Sequence, residues 1–115
     1  EFNVDKIVIL SVIYNESRCM PNVVGADNDS GLMQVVPKWH KNRMELLGVD
    51  NLFDPLGNIR VGTHLLSELE VENNLRKALA MYNGGYVPPQ SSWDYADRVI
   101  NDYNKFKTYI SLEEI

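Results

Sequence analysis

The sequence is short of cysteine, histidine and basic charge, and each shortage excludes something. One cysteine in 115 residues, Cys19, can form no internal disulfide, so packing must hold the fold. Cys19 also lacks the companions of a CxxC or Cys/His zinc site. The two histidines, His40 and His64, do not stand at HxxxH spacing, and no acidic cluster resembles a calcium loop, so neither a metal nor another cofactor is expected. No run approaches the ~18 apolar residues of a membrane span, which argues against membrane insertion by this segment. No charged-then-apolar targeting signal opens it either. Eleven Lys and Arg against 16 Asp and Glu leave a net charge of −5. A chain this acidic lacks the basic stripe that nucleic acid requires and has no long-range attraction to anionic lipid.

What is present suits one ordinary globular domain. With 44% hydrophobic and 23% charged residues, the chain is far from the composition of a disordered one, and its length suffices for one core. Residues 1–115 are therefore expected to form a single domain and a monomer, with 1–3 set aside as linker or cloning remnant and 107–115 as a tail. No repeat and no alternating strand pattern occurs, so the fold class is all-α.

The helices are legible from apolar spacing. Residues 4–17 contain the apolar run Ile7 to Tyr14, interrupted only by Ser11, with no Gly or Pro before Pro21, which predicts a helix buried on most sides. Gly25-Ala26-Asp27-Asn28-Asp29 reads as a loop. Ser30 is placed to cap a short helix ending at Val36, before Pro37. A further helix is expected from Trp39 to Leu47, closed by Gly48. Ile59, Gly62, Leu65, Leu66 and Leu69 mark an amphipathic helix from Asn58, and Leu75, Ala78, Leu79 and Tyr82 mark another, stopped by Asn83-Gly84-Gly85. Ser91 with Asp94 suggests a capping box before a last helix carrying Ala96, Val99, Ile100 and Tyr103.

Glu16 is the residue with the most chemical promise. It follows Val12-Ile13-Tyr14 at the end of the most apolar segment, where lost hydration raises a carboxyl's pKa toward the range of a general acid. An exposed glutamate at a helix end is the plainer alternative. The context is Glu16-Ser17, Pro21, Ser30-Gly31-Leu32-Met33-Gln34, Pro37, Asp54-Pro55, Asn58-Ile59 with Gly62, Ala80-Met81-Tyr82-Asn83-Gly84-Gly85, and Tyr95 with Val99. In this order, across residues 7–106, the pieces resemble lytic transglycosylases of the soluble-murein-transglycosylase (SLT) type, a lysozyme-like family.

The resemblance implies an all-α, lysozyme-like domain of five to seven helices with a cleft for peptidoglycan glycan strands. By the same resemblance Glu16 is the catalytic acid/base and Ser17 a nearby cleft hydroxyl. Met33 and Gln34 line the sugar site, Tyr82 and Asn83 bind sugar near the acid, and Tyr95 reaches toward Glu16. The product would be a 1,6-anhydro-muramoyl end, made without a second carboxylate. The implied setting is the bacterial envelope or a phage virion, with the domain belonging to a longer chain or to a secretion, conjugation or phage assembly.

Three departures from the family pattern matter. Asn28-Asp29 replaces a Gly-Ala pair, Met20 an Asn, and Ser91 an acidic residue. The spacing of Asp29 from Glu16 is similar to that of the second acid in muramidases related to goose-type lysozyme. A hydrolase using Glu16 as acid and Asp29 as base is thus the alternative, needing carboxyls roughly 6.5–9.5 Å apart. Asp27 is a weaker candidate, and both are otherwise solvated turn residues. Trp93 is balanced between sugar stacking and packing, whereas Trp39 is expected to pack. A cysteine peptidase would need Cys19 beside His40 or His64, yet both histidines read as surface residues. A glycan-binding module without turnover is the remaining class.

Overall fold

A computed structural model describes residues 1–113. Five α-helices account for most of them: α1 Lys6–Ser17, α2 Lys41–Leu47, α3 Pro55–Glu68, α4 Leu75–Gly84 and α5 Gln90–Glu113, with a 3₁₀ turn at Pro37–Trp39. Among the described residues the only β pairing is two isolated antiparallel bridges, so the all-α expectation holds. The stretch set aside as a tail is the end of α5 as far as Glu113, and its last two residues lie outside the described residues.

The chain falls into two compact units, one made of residues 1–12 and 65 onward, the other of residues 13–64. In the first, Val8, Leu66, Val71, Leu79, Tyr95, Ala96 and Val99 are buried together with Ala78 and Ala80. Asp5 caps α1 by accepting from the Ile7 N–H at 2.8 Å, and its other oxygen accepts from the Tyr103 hydroxyl at 2.9 Å. Those bonds join the start of α1 to α5. Leu10 and Tyr14 reach solvent, so α1 is less enclosed than its apolar run suggests.

α4 and α5 pack closely at Gly84, where a Cβ would strike Ser92 Oγ. The capping box expected at Ser91 does not form. Pro89 fixes the backbone just ahead of it, α5 begins at Gln90, and Asp94 instead accepts from the Gln90 amide at 3.1 Å. Trp93 is half-buried beneath the Arg76 guanidinium, 4.8 Å from the ring centre, and Arg76 also binds Asp97 at 2.8 Å.

In the second unit Ile13, Leu32, Met33, Val35, Leu52 and Val61 form the core. The short helix expected over 30–36 is absent. Ser30 bridges to Val24 and Val35, and its hydroxyl donates to Asn28 O rather than capping a helix. The physical cause is Gly31, whose φ of +76° lies in the left-handed region, where it turns the chain away from α-helix. Residues 23–35 instead make a tongue closed by Ser30 N–H to Val35 O at 2.9 Å and Val35 N–H to Ser30 O at 3.1 Å. Pro37 starts the 3₁₀ turn instead of ending a helix, because a proline costs nothing where no intrahelical donor is needed. Trp39 is 72% exposed, contrary to the packing role expected of it.

Candidate active site

Glu16 occupies the last turn of α1, half-buried, and the chain leaves the helix directly after it. Arg18 and Cys19 both take left-handed conformations, with φ of +53° and +65°. The Arg18 guanidinium lies 4.1 Å from the centre of the Tyr14 ring, which braces this helix end. Ser17 is buried and its hydroxyl donates to Ile13 O at 3.1 Å. Its proton therefore serves the helix, and the expected open cleft hydroxyl is not what this conformation presents.

The same unit holds the tongue with Asp29, Met33 and Gln34. Met33 is 0% exposed, which corrects its expected place on the sugar surface. Its thioether packs on Gly62 of α3, where an added Cβ would lie 2.5 Å from the sulfur. Gly62→Ala should therefore cost about 1–3 kcal/mol by overpacking, read from the urea midpoint. A loss under about 0.5 kcal/mol would mean that Met33 yields freely. Gln34, at φ +51°, donates from Nε2 to Val23 O and Gly31 O, both at 2.9 Å. Its amide braces the tongue, and its Oε1 takes no part in these bonds.

Asn58 of α3 organises this region, a role that its immediate sequence neighbours do not announce. Fully buried, it accepts from the Met33 N–H and donates to Ser30 O and Leu52 O, each at 2.8 Å. One side chain thus satisfies three backbone groups that could reach no water. Gly31 presses so close that a Cβ there would overlap Asn58 Nδ2 and Leu52 O. The signal was available: an asparagine one turn before Gly62 on the apolar stripe is a buried polar group, and such groups are paired.

Asp29 is half-buried, and its carboxylate is committed to its own loop. It accepts from the Asp27 N–H at 3.2 Å and covers Gly25 so tightly that a Cβ there would collide with both oxygens. Its carbonyl accepts from Gly25 N–H at 2.8 Å, and Asp27 itself is exposed.

The other candidates lie in the unit built from α4 and α5. Tyr82 is half-buried in the last turn of α4, Tyr95 is buried in α5, and Asn83 is exposed with its Oδ1 accepting from the Ser92 hydroxyl at 2.8 Å. His40 and His64, read as surface residues, are half-buried and both bonded to Arg43. That engagement leaves a thiol peptidase without its base. Among the described residues no group of three or more His, Cys, Asp or Glu is arranged to hold a metal.

The helices and the tongue define the class, an all-α lysozyme-like domain. The model superposes on the 70 kDa soluble lytic transglycosylase of Escherichia coli with a TM-score of 0.82, at 20% identity, covering 94% of this chain and 22% of that one. An inactive mutant of the lytic transglycosylase Slt from Pseudomonas aeruginosa gives 0.83, also at 20% identity, covering 96% and 22%. The family profile described as the transglycosylase SLT domain matches residues 1–103, and the chain belongs to that family.

Relatives extend the likeness. The chain is 32% identical over 110 residues to a transglycosylase of Enterobacteria phage PRD1, covering 90% of this chain and 39% of that protein. It is 28% identical over 123 residues to the invasion protein IagB of Salmonella typhimurium, covering 98% and 76%. A putative soluble lytic murein transglycosylase of Haemophilus influenzae is 34% identical over 90 residues, covering 72% and 15%. The chain therefore spans about two fifths of the phage relative's length and three quarters of the invasion protein's.

Proposed function

We propose that this domain is a peptidoglycan lytic transglycosylase that cuts the β-1,4 bond between N-acetylmuramic acid and N-acetylglucosamine, with Glu16 as sole acid and base. The observation that carries the reading is the place of Glu16 in the family's motif at the end of α1, beside a second carboxylate with a structural use of its own. Glu16 ends α1 half-buried within the family's Glu-Ser motif, whereas Asp29 is bound into the Gly25–Asp29 loop. The Asp29 carboxylate has a structural use in its own loop, accepting from the Asp27 N–H and covering Gly25, that accounts for it without a catalytic role.

The step balances with one carboxyl. Protonated Glu16 gives its proton to the glycosidic oxygen as the bond to the muramoyl C1 breaks, and positive charge develops on that sugar. The Glu16 carboxylate then takes the proton of the same sugar's C6 hydroxyl while O6 bonds to C1. An anhydro ring results, no water is consumed, and Glu16 is again protonated. Gln34 supports the sugar side through its Oε1 carbonyl, while Ser17, Met33 and Asn58 fix the backbone from beneath. Tyr82, Asn83 and Tyr95 are proposed substrate contacts by resemblance to the family, phenol and amide groups being apt partners for sugar hydroxyl and N-acetyl groups.

Peptidoglycan glycan strands are the proposed substrate, met at the bacterial envelope or from a phage virion. At −5 the domain gains no electrostatic concentration on an anionic wall, so delivery falls to a parent chain or an assembly partner. Asp29→Asn tests the choice between lyase and hydrolase. Turnover of purified peptidoglycan should stay within about threefold of wild type, the loop losing little because an amide oxygen can still accept from Asp27 N–H. A loss of roughly a hundredfold or more would favour the hydrolase.

A further inference from the structure

Only two histidines occur in the chain, and one arginine holds both. Arg43 of α2 donates from Nε to His40 Nδ1 at 3.4 Å and from Nη1 to His64 Nδ1. His40 ends the 3₁₀ turn at the head of α2, and His64 belongs to α3. A guanidinium has no lone pair to offer and cannot lose its proton in a protein, so each imidazole must present an unprotonated Nδ1 and carry its proton on Nε2.

We propose that Arg43, set between His40 at the head of α2 and His64 of α3, forms an acid-released clasp: its bond to His64 ties the two helices, and the neutral His40 ring holds the guanidinium in place. Protonating His40 turns its Nδ1 from acceptor into donor, which breaks its bond and sets a second cation beside Arg43. The surrounding charges act in both directions. Arg43 faces both rings, and Arg60, one turn before His64 on α3, adds positive charge although it is bonded to Leu47 O at 2.7 Å. Lys38 and Lys41 flank His40 in sequence, while Glu45 on α2 and Glu68, one turn after His64 on α3, carry the opposite sign. For His40 the outcome is settled by partial burial first and Arg43 second, which hold it below the usual 6.5.

The sign follows from linkage. A histidine whose folded pKa is depressed binds fewer protons folded than unfolded. The contribution of His40 to the clasp is therefore complete above 6.5 and weakens as pH falls from there toward the folded value. Its position gives the release a consequence. Residues 36–47 follow the tongue directly, and α3 grips the tongue itself through Asn58. Opening the clasp leaves Asn58 in place and frees the segment behind Gln34. Any effect on turnover rests on the function proposed above; the clasp itself does not.

Two measurements on the folded chain test it. Imidazole nitrogen shifts at pH 7.5 should show both rings as the Nε2–H tautomer, and an Nδ1–H tautomer at either ring would overturn the assignment. Amide exchange over 41–47, corrected for intrinsic rates, should speed up on acidification below 6.5, by up to about tenfold per pH unit for one linked proton. The same amides should stay level with pH in a variant carrying His40→Gln and His64→Gln, since glutamine keeps an acceptor and does not titrate. A flat wild type, or an equal rise in the variant, contradicts the clasp whether or not the chain cleaves glycan.

Discussion

Glu16→Gln is expected to lower glycan cleavage by about a thousandfold or more, because the same carboxyl both donates and accepts a proton and an amide does neither. The fold should survive. Glu16 is half-buried at a helix end, and the swap is nearly isosteric, so the urea midpoint should move by less than about 1 kcal/mol of stability. Release of soluble muropeptides from purified sacculi measures the first quantity and denaturation the second. Activity within tenfold of wild type would remove Glu16 from the mechanism. A wild-type protein that binds glycan chains yet releases nothing would instead mark a module that kept the fold and lost turnover.

The largest effect on stability should come from Asn58→Leu. The substitution is close in volume and removes every polar atom, orphaning Leu52 O and the Met33 N–H in the interior and leaving Ser30 O only its bond from the Val35 N–H. At about 1–3 kcal/mol for each of the two unsatisfied groups, partly recovered as the tongue loosens, the loss should be roughly 2–5 kcal/mol. Urea denaturation gives the value, and exchange of the Gly31 to Val35 amides locates it. A loss below about 1 kcal/mol would show that the tongue is held elsewhere, by the bridges at Ser30 alone.

How far the residues announced these features depends on whether the interaction is local. Periodicity found α3, α4 and the body of α5, because an apolar stripe reports the face a helix must bury, and Gly48 and Gly85 mark where α2 and α4 end. Sequence alone predicts a helix over 30–36, the second half of the tongue, since Ser30 before an apolar run looks like a cap. What decides it is Asn58, distant in sequence, taking the Ser30 carbonyl, together with the left-handed Gly31. Trp39 and Met33 exchanged their expected roles for a related reason. A side chain's exposure depends on what approaches from elsewhere in the chain, as Gly62 approaches Met33.

The chemistry was legible by a different route. Glu16 was singled out by its place after an apolar run, and the order of motifs from Glu16-Ser17 to Tyr82-Asn83 carried the family resemblance that the SLT profile shows. Asp29 could not be judged from sequence, because its engagement with Asp27 N–H and Gly25 is a matter of loop geometry. The Arg43 bonds were hidden likewise. Nothing within a few residues of His64 names a partner on α2.

The proposed function reduces to the fate of one water molecule, and mass spectrometry of a peptidoglycan digest reads it directly. A transglycosylase relying on Glu16 alone leaves 1,6-anhydro-muramoyl ends, lighter by one water than the reducing ends a muramidase makes. Anhydro ends are the expected main product, unchanged in Asp29→Asn and absent in Glu16→Gln. Reducing muramoyl ends with an added water, lost when Asp29 is replaced, would contradict it.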